Sequence, residues 1–307
     1  MAKIFENKVF QDPSAAREWL ESRLWPNGPV CGHCGVENEA KALSSRPGTY
    51  QCNACRKQFT VTVGTVFERS HIPLNKWLMA TFLFCASKKG VSAHQMHRLL
   101  DVTYKSAWFM MHRLREAVTP TGTEGPLGGR GKVVEADETY FGVADGKTRK
   151  KFSGMGHKMK VLSLVERGGN VRSKRIKNAS KTEVGEILRA NIHPESILHT
   201  DGSQIYREIG ATKKHEFVDH SISYVGMGQN GRKVHTNTLE GYFSVFKRGM
   251  VGTYQHIGEQ HLNRYLAEFD FRQNTRAKLG IGDEARAELA LKGIVGKRLT
   301  YRQTNAA

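Results

Sequence analysis

The chain has 307 residues, of which 39% are hydrophobic, enough for a substantial core spread over two or three domains. Its 47 lysines and arginines exceed its 29 acidic residues and give a formal net charge of +18, more than solubility requires. Because basic proteins gain affinity for nucleic acid by counterion release, nucleic acid is the first expected partner. The longest nearly apolar run, 77–86, is too short to cross a bilayer, and the N-terminus has no apolar signal core. We therefore expect no membrane association and a reducing, cytoplasmic setting.

The first domain, expected over residues 1–70, contains two Cys-x-x-Cys pairs. Cys31 and Cys34 are followed, after 17 intervening residues, by Cys52 and Cys55. Each pair presents two thiolates in a tight turn, and two such turns complete the tetrahedron that Zn²⁺ prefers. A redox or disulfide role is the weaker alternative in a reducing compartment. The pattern predicts a zinc ribbon with one structural Zn²⁺, because four thiolates close the coordination sphere.

Residues 71–120 are predicted to be helical throughout. Ser92 and Thr103 are good N-cap residues, and they precede a short helical stretch over 93–100 and a longer one over 104–118. A short helix, a tight turn and a longer helix are typical of a helix-turn-helix, whose second helix enters the major groove of DNA. The alternative is a helical linker with a solvated basic face.

A linker rich in glycine and proline over 121–131 precedes the third domain, expected over 132–307. The predicted order is three strands, the last two joined by a hairpin turn at Gly168 and Gly169, then a helix, a fourth and a fifth strand and further helices. This is the order of a ribonuclease H-like fold. Such a fold places its first and fourth strands side by side. The expected fold class is therefore α/β, with a zinc ribbon and a helix-turn-helix preceding a ribonuclease H-like catalytic domain.

Three acids in this third domain form the candidate catalytic site. Asp137 ends the first predicted strand, Asp201 ends the fourth, and Glu240 lies on a later helix. A strand-end aspartate by itself is commonly a turn residue, but three carboxylates together can hold hard divalent cations. Two such ions clamp the attacking and leaving oxygens of an in-line phosphoryl displacement. The pattern predicts metal-dependent chemistry on a phosphodiester.

The residues alone leave the third ligand open. Asn237 precedes Glu240 by three positions and can share its side of a helix. A carboxylate binds a divalent cation better than an amide does, which favours Glu240. Glu138 should point to the opposite face of the strand from Asp137, whereas Glu135 shares the face of Asp137 and is a candidate supporting group.

Basic residues in three places are candidate DNA contacts, each with an ordinary solvated surface as the alternative. The stretch 147–160 has six lysines and arginines and no acid, which is typical of a loop that orders on DNA. The candidates are Lys105 and Arg113 on the long helix, Lys150 and Lys151 in the basic stretch, and Lys247 and Arg248 on the helix of Glu240.

Several motifs resemble those of the IS1595-type (ISXO2-like) DDE transposases. They are residues 134–142 around Asp137, 199–206 around Asp201, 235–249 around Glu240, and the later segments 265–276 and 296–301. The two cysteine pairs also resemble the zinc ribbon of that family. Some members of the family use Asn in place of the third Glu, which keeps Asn237 as the alternative ligand.

The resemblance implies a DNA transposase that binds the inverted-repeat ends of an insertion element and cleaves and joins DNA strands with two Mg²⁺ or Mn²⁺ ions. We also expect target DNA as a partner, a homo-oligomer on DNA, and a bacterial, nucleoid-associated protein of the cytoplasm. Two other classes stay open at this stage. One is a DNA-binding regulator without catalysis, and the other is a ribonuclease H-like nuclease that cleaves without joining strands.

Overall fold

The structure is a computed structural model, and its contacts divide the chain into two units. One unit consists of the described parts of 1–119 and 277–307, and the other of those of 120–276. The C-terminal segment from 277 thus groups with the first unit, while the expected domain bounds at residues 70, 120 and 131 stay predictions. The structure describes residues 6–147, 155–207, 209, 211–212, 214–228 and 231–300.

The first unit opens with two helices and a small antiparallel sheet that follows the first cysteine pair. Its elements are α1 (Lys8–Gln11), α2 (Pro13–Leu24), β1 (Ala40–Ala42), β2 (Tyr50–Cys52) and β3 (Gln58–Phe59). Asp12 caps α2 by accepting a hydrogen bond of 2.9 Å from the Ser14 N–H. Trp25, Tyr50 and Phe59 pack together beside the buried cysteines. This sheet therefore has only a small apolar core.

The other main elements described in the first unit are helices. Its longer helices are α3 (Leu74–Ala86), α4 (Ala93–Leu100), α5 (Tyr104–Val118) and, near the C-terminus, α9 (Asp283–Lys292). Both predicted N-caps are confirmed, because Ser92 Oγ accepts from the Gln95 N–H over 3.1 Å and Thr103 Oγ1 from the Ser106 N–H over 3.2 Å. Asp101, at φ 46°, ends α4 in the left-handed conformation and turns the chain into α5.

The second unit is built on a five-stranded mixed sheet flanked by helices. Its elements are β4 (Val133–Phe141), β5 (Met159–Glu166), β6 (Val171–Ile176), α6 (Lys181–Asn191), β7 (Ile197–Asp201), β8 (Lys214–Val218), β9 (Gly226–Met227), β10 (Lys233–Val234), α7 (Asn237–Gly249) and α8 (Leu262–Asn274). The strand order is β6-β5-β4-β7-β8; β4 pairs antiparallel with β5 and parallel with β7. The predicted β5–β6 hairpin is confirmed, because the Glu166 N–H donates to the Asn170 carbonyl over 2.9 Å and Gly168 takes a φ of +81°.

The alternation of β4 assigns its side chains to two different layers. Val134 and Ala136 lie in the apolar core that the sheet forms with α6. On the other face, α7 and α8 pack over the sheet, with Phe246 and Phe269 among the buried side chains there. Odd positions of β4 therefore point toward α7. Among the described residues, the helices include none with the length and hydropathy of a transmembrane span.

Candidate active site and metal centres

The four predicted zinc ligands lie together in the first unit. The Sγ atoms of Cys31, Cys34, Cys52 and Cys55 are all within 4.8 Å of one another. Two separations, 3.7 Å for Cys31–Cys55 and 3.6 Å for Cys34–Cys52, are close to the edge of about 3.8 Å expected for a tetrahedron with Zn–S bonds of about 2.3 Å. The Cys55 N–H donates to Cys52 Sγ over 3.4 Å and lowers the pKa of that thiol to about 7, which favours the metal-binding thiolate. The cysteines are therefore positioned to bind one structural zinc.

Two of the three candidate catalytic acids lie on neighbouring parallel strands. The β4–β7 register pairs Glu135 with His199, so the next positions on the same face are Asp137 and Asp201. Asp137 Oδ1 accepts a hydrogen bond of 2.7 Å from the Glu138 N–H, and Asp201 Oδ1 accepts one of 3.1 Å from the Ser203 N–H. Two residues distant in the sequence thus lie on neighbouring strands of the sheet. β4 continues to Phe141, so the prediction that Asp137 ends its strand is wrong, whereas Asp201 does end β7.

The environment of Asp137 strongly disfavours its negative charge. Burial and the nearby carboxylates of Asp201, Glu138 and Glu240 raise the pKa of Asp137 to about 8. Within the described ranges, the four cysteines form the only cluster of three or more possible metal ligands whose ligand atoms all lie within 4.8 Å of one another. The acids are therefore spaced more widely than the ligands of one ion. A bound cation would relieve the repulsion among these carboxylates, and oxygen donors suit a hard divalent ion.

Helix α7 contributes the third candidate acid on an exposed face. Asn237, Glu240, Lys247 and Arg248 are all exposed, and the side chain of Glu240 retains 45% of its accessibility. Glu240 is one of the carboxylates that raise the pKa of Asp137, so the helix brings it near the strand acids. The two cations lie two turns further along the helix from Glu240. The structure is compatible with either Glu240 or Asn237 as a ligand, because both side chains are exposed at the start of α7.

Glu135 is the other acid on the Asp137 face of β4, and it is fully buried. Its carboxylate accepts hydrogen bonds from the backbone N–H groups of Thr238, at 3.0 Å, and Leu239, at 3.2 Å, in the first turn of α7. The Thr238 hydroxyl donates to the same carboxylate over 2.9 Å, and Arg167 Nε over 2.9 Å. Glu135 is therefore occupied by protein partners and lies deeper than Asp137, Asp201 and Glu240.

Two histidines surround the Arg167 guanidinium. One of its nitrogens lies 3.2 Å from both His199 Nδ1 and His235 Nδ1, and His199 Nε2 lies 3.2 Å from a Glu216 carboxylate oxygen. Burial and the positive charge of Arg167 lower the pKa of His199 to about 4 and also lower the pKa of His235. The buried His199 ring is therefore neutral, accepting from Arg167 and donating to Glu216.

Glu138 points to the opposite side of β4, as strand alternation predicts. Its carboxylate accepts a short hydrogen bond from the hydroxyl of Tyr206, which is buried in the core beside α6. Burial raises the pKa of Glu138 to about 6 and that of Tyr206 well above its ordinary value. Glu138 adds to the negative charge near Asp137 without sharing its face.

The candidate DNA contacts occupy very different environments. Lys105 is exposed at the start of α5. Arg113 is only 8% exposed, donates to the Glu68 carbonyl over 3.0 Å and lies over the Phe109 ring. This placement gives Arg113 a packing role in the first unit, and a contact between Arg113 and DNA stays a prediction. Lys150 and Lys151 lie outside the described residues.

Several residues that surround the acids give no sign of that position in the sequence. Arg167 lies beside the predicted hairpin turn, and nothing in its spacing indicates contacts with Glu135 and His235. The same is true of His220; its Nε2 lies 3.8 Å from Glu240 Oε1 and 3.2 Å from the Thr236 hydroxyl. Only the odd-position alternation of β4, which put Glu135 beside Asp137, gave a sequence signal for this set.

In a comparison with known proteins, two separate segments of the chain match domain models of the same family. The model of the ISXO2-like transposase domain matches residues 126–274, which include all three candidate acids. The model of the transposase zinc-ribbon domain of the IS1595 group matches residues 12–58, which include all four cysteines. Together these matches cover more than half of the chain.

A curated relative supports the same assignment over nearly the full length. It is described as an uncharacterized protein in transposable element ISH50 of Halobacterium salinarum. The two sequences are 28% identical over 292 residues, a region that covers 89% of this chain and 95% of the relative. The chain therefore belongs to the IS1595 (ISXO2-like) transposase family.

Proposed function

We propose that this transposase cleaves DNA at the inverted-repeat ends of its insertion element and joins the freed 3′ ends to target DNA. Asp137, Asp201 and Glu240 would hold two Mg²⁺ or Mn²⁺ ions on the face of the five-stranded sheet that α7 covers. The observation that carries the proposal is the acid cluster itself, in which burial and three nearby carboxylates raise the pKa of Asp137 to about 8. In a chain with a net charge of +18, such a concentration of negative charge is suited to binding cations.

The sheet supports a ribonuclease H-like assignment for the catalytic domain. The central strand β4 carries Asp137, and β7, which ends in Asp201, lies parallel beside it after the α6 crossover. α7 covers the same face and carries Glu240. When bound, two divalent ions would supply positive charge to the attacking and leaving oxygens of an in-line displacement. The three acids would fix the positions of those charges before DNA arrives.

DNA binding would use different parts of the chain for different purposes. The α4–turn–α5 arrangement supports a helix-turn-helix in which exposed Lys105, near the start of α5, approaches DNA bases. Lys247 and Arg248, two turns beyond Glu240, would contact phosphates beside the cleaved bond. The zinc ribbon would contribute to recognition of the element ends. Assembly of more than one copy on paired ends follows from the need to join two ends to one target.

A supercoiled plasmid carrying the element ends tests the proposal, with nicked and joined products measured in the presence of Mg²⁺. Asp137→Asn, Asp201→Asn and Glu240→Gln should each abolish both products while leaving DNA affinity near that of the unaltered protein, because each removes one charge at constant volume. Glu186→Gln, at an exposed position of α6, is the matched control and should be fully active. Full activity of Asp201→Asn would contradict the site.

The same assay separates the remaining alternatives. Activity that survives Glu240→Gln but is lost in Asn237→Ala would assign the third ligand to Asn237. Cleavage without joined products would indicate a nuclease, and specific binding without metal-dependent cleavage would indicate a regulator.

A further inference from the structure

We propose that Glu135, held by Arg167, is a positioning residue that sets the location of Glu240 relative to Asp137. The inference rests on the proposed function, because it concerns how the third acid of that site is placed. Glu135 and Arg167 would not touch the metal ions or DNA. They would act through the backbone at the start of α7.

The first step in the argument is the cap of α7. A helix leaves its first N–H groups without partners inside the helix, and a side chain just before it usually supplies an acceptor. Among the described residues, the Thr236 side chain caps no N–H of this helix, and its hydroxyl lies beside His220 instead. The carboxylate of Glu135, from the middle of the sheet, accepts from the Thr238 and Leu239 N–H groups at 3.0 and 3.2 Å. A strand residue thus supplies the acceptor for two of the N–H groups in the first turn of this helix.

The second step is how Arg167 fixes that carboxylate. Arg167 Nε donates to Glu135 Oε1 over 2.9 Å, and its terminal nitrogens reach the Lys233 carbonyl at 3.4 Å and the His235 carbonyl at 3.1 Å. The planar guanidinium presents its donors in a fixed geometry. Arg167 therefore connects the segment that leads into α7 to β4, and its contact with His199 extends the connection to β7. Arg167, in the β5–β6 turn, thus links the two strands that carry the aspartates to the segment that precedes α7.

The third step concerns spacing along the chain. Glu135 lies two residues before Asp137 on the same face of β4, and Thr238 lies two residues before Glu240. The hydrogen bonds between Glu135 and Thr238 therefore connect β4 to α7, in each case two residues before the acid proposed to bind metal. Glu240 itself is exposed on α7. Its position is therefore set by the first turn of the helix, and an error of about 1 Å in placing a catalytic group can reduce a rate about 100-fold.

Glu135→Gln and Thr238→Val test this role, because each keeps the side-chain volume while weakening the link. At saturating DNA and a temperature well below the melting transition, we expect Glu135→Gln to cleave about 100-fold more slowly in Mg²⁺. The Mg²⁺ concentration that gives half the maximal rate should rise, and DNA affinity should stay within about twofold. Thr238→Val should show a smaller loss in the same direction, and Thr238→Ser, which retains the hydroxyl, should restore the rate.

The choice of metal separates positioning from simple loss of stability. Mg²⁺ demands nearly ideal octahedral geometry, so a displaced Glu240 should reduce the rate more in Mg²⁺ than in Mn²⁺. An equal loss with both ions, together with an unchanged Mg²⁺ requirement, would mean that Glu135 serves only folding and would overturn the proposal. If Glu135→Gln does not fold, Thr238→Val and Arg167→Lys give the same comparison of the two metals.

A parallel measurement keeps this inference separate from the proposed function. If Asp137→Asn is inactive while Glu135→Gln and Thr238→Val are fully active, the positioning role is overturned and the catalytic site is retained. Asp137→Asn active would instead overturn the catalytic site, whatever the result at Glu135. The control Glu186→Gln should match the unaltered protein with both ions.

Discussion

The cysteine cluster of the first unit and the acid cluster of the second are assembled in different ways. All four cysteines lie within one short segment, and two tight turns with a small hairpin bring them together. The three acids come from two strands and a helix, and partners such as the buried Glu135 and the half-buried Arg167 join those elements. A site made by local turns can be identified from spacing alone. A site made by a sheet and a helix depends on every contact that fixes their separation.

The largest effect is expected from removing one ligand of the cysteine cluster. Cys52→Ser should remove the zinc and loosen the first domain, because metal binding supplies much of the folding free energy of a domain with so small a core, on the order of 10 kcal/mol for structural zinc. Elemental analysis should give one zinc per unaltered chain and none per variant, and limited proteolysis should cut the variant within residues 1–70. A chain free of zinc that resists proteolysis equally well would contradict the prediction.

The acid site should respond in its chemistry and not in its folding. Asp201→Asn should lower the cleavage rate by at least about 10²–10³-fold, the usual effect of removing one charged group that stabilises a transition state. Its melting temperature should not fall, because the change removes one of the mutually repelling carboxylates. Plasmid nicking and thermal unfolding measure the two effects on the same preparation. A melting temperature that falls in parallel with the rate would indicate that Asp201 serves the fold.

The raised pKa of Asp137 predicts how stability depends on pH. Its folded-state pKa of about 8 lies above the ordinary value of 3.8, so ionised Asp137 opposes folding. This cost is absent below about pH 4, grows as the pH rises, and is complete above about pH 8. With a chelator present, Asp137→Asn should therefore melt at a higher temperature than the unaltered protein at pH 8.5, by about 2–4 °C per kcal/mol relieved, and the difference should disappear toward pH 4.

Adding Mg²⁺ should favour the unaltered protein over Asp137→Asn in melting temperature. The unaltered protein should gain melting temperature at pH 8.5, because the ion binds the folded state, whereas Asp137→Asn should gain little. Thermal scans with and without Mg²⁺ measure both effects. Equal melting temperatures for the two proteins in chelator at pH 8.5 would show that ionising Asp137 costs the folded protein no stability.

The smallest effects concern DNA contacts. Lys247→Ala should weaken binding to cognate and scrambled ends equally and reduce the slope of log affinity against log salt by about 1, because one phosphate contact is lost. Lys105→Ala should weaken binding to cognate ends more than to scrambled ends if α5 approaches the bases. Lys292→Ala, exposed at the end of α9, is the control for both. Unchanged isotherms for both lysine variants would place recognition elsewhere, with the zinc ribbon as the next candidate.

The sequence by itself determined those features that depend on a few neighbouring residues. The cysteine pairs, the N-caps Ser92 and Thr103 and the Gly168 turn were all identified correctly, because turn and cap chemistry acts over three or four positions. The strand order was also recognisable, since the alternation of β4 and the crossover to β7 follow general rules of sheets. These features were sufficient to predict which acids should meet.

Only the tertiary structure decided how the acids are held and which basic side chains are exposed. Arg113 looks like a DNA contact in the sequence, but packing against Phe109 buries it. Arg167 looks like a turn residue, yet it joins Glu135 and His235 across 32 and 68 positions of sequence. The environment of each side chain is set by contacts between residues far apart in the chain, which no local pattern encodes. For the same reason the raised pKa of Asp137 follows only from the folded arrangement of Asp201, Glu138 and Glu240 around it.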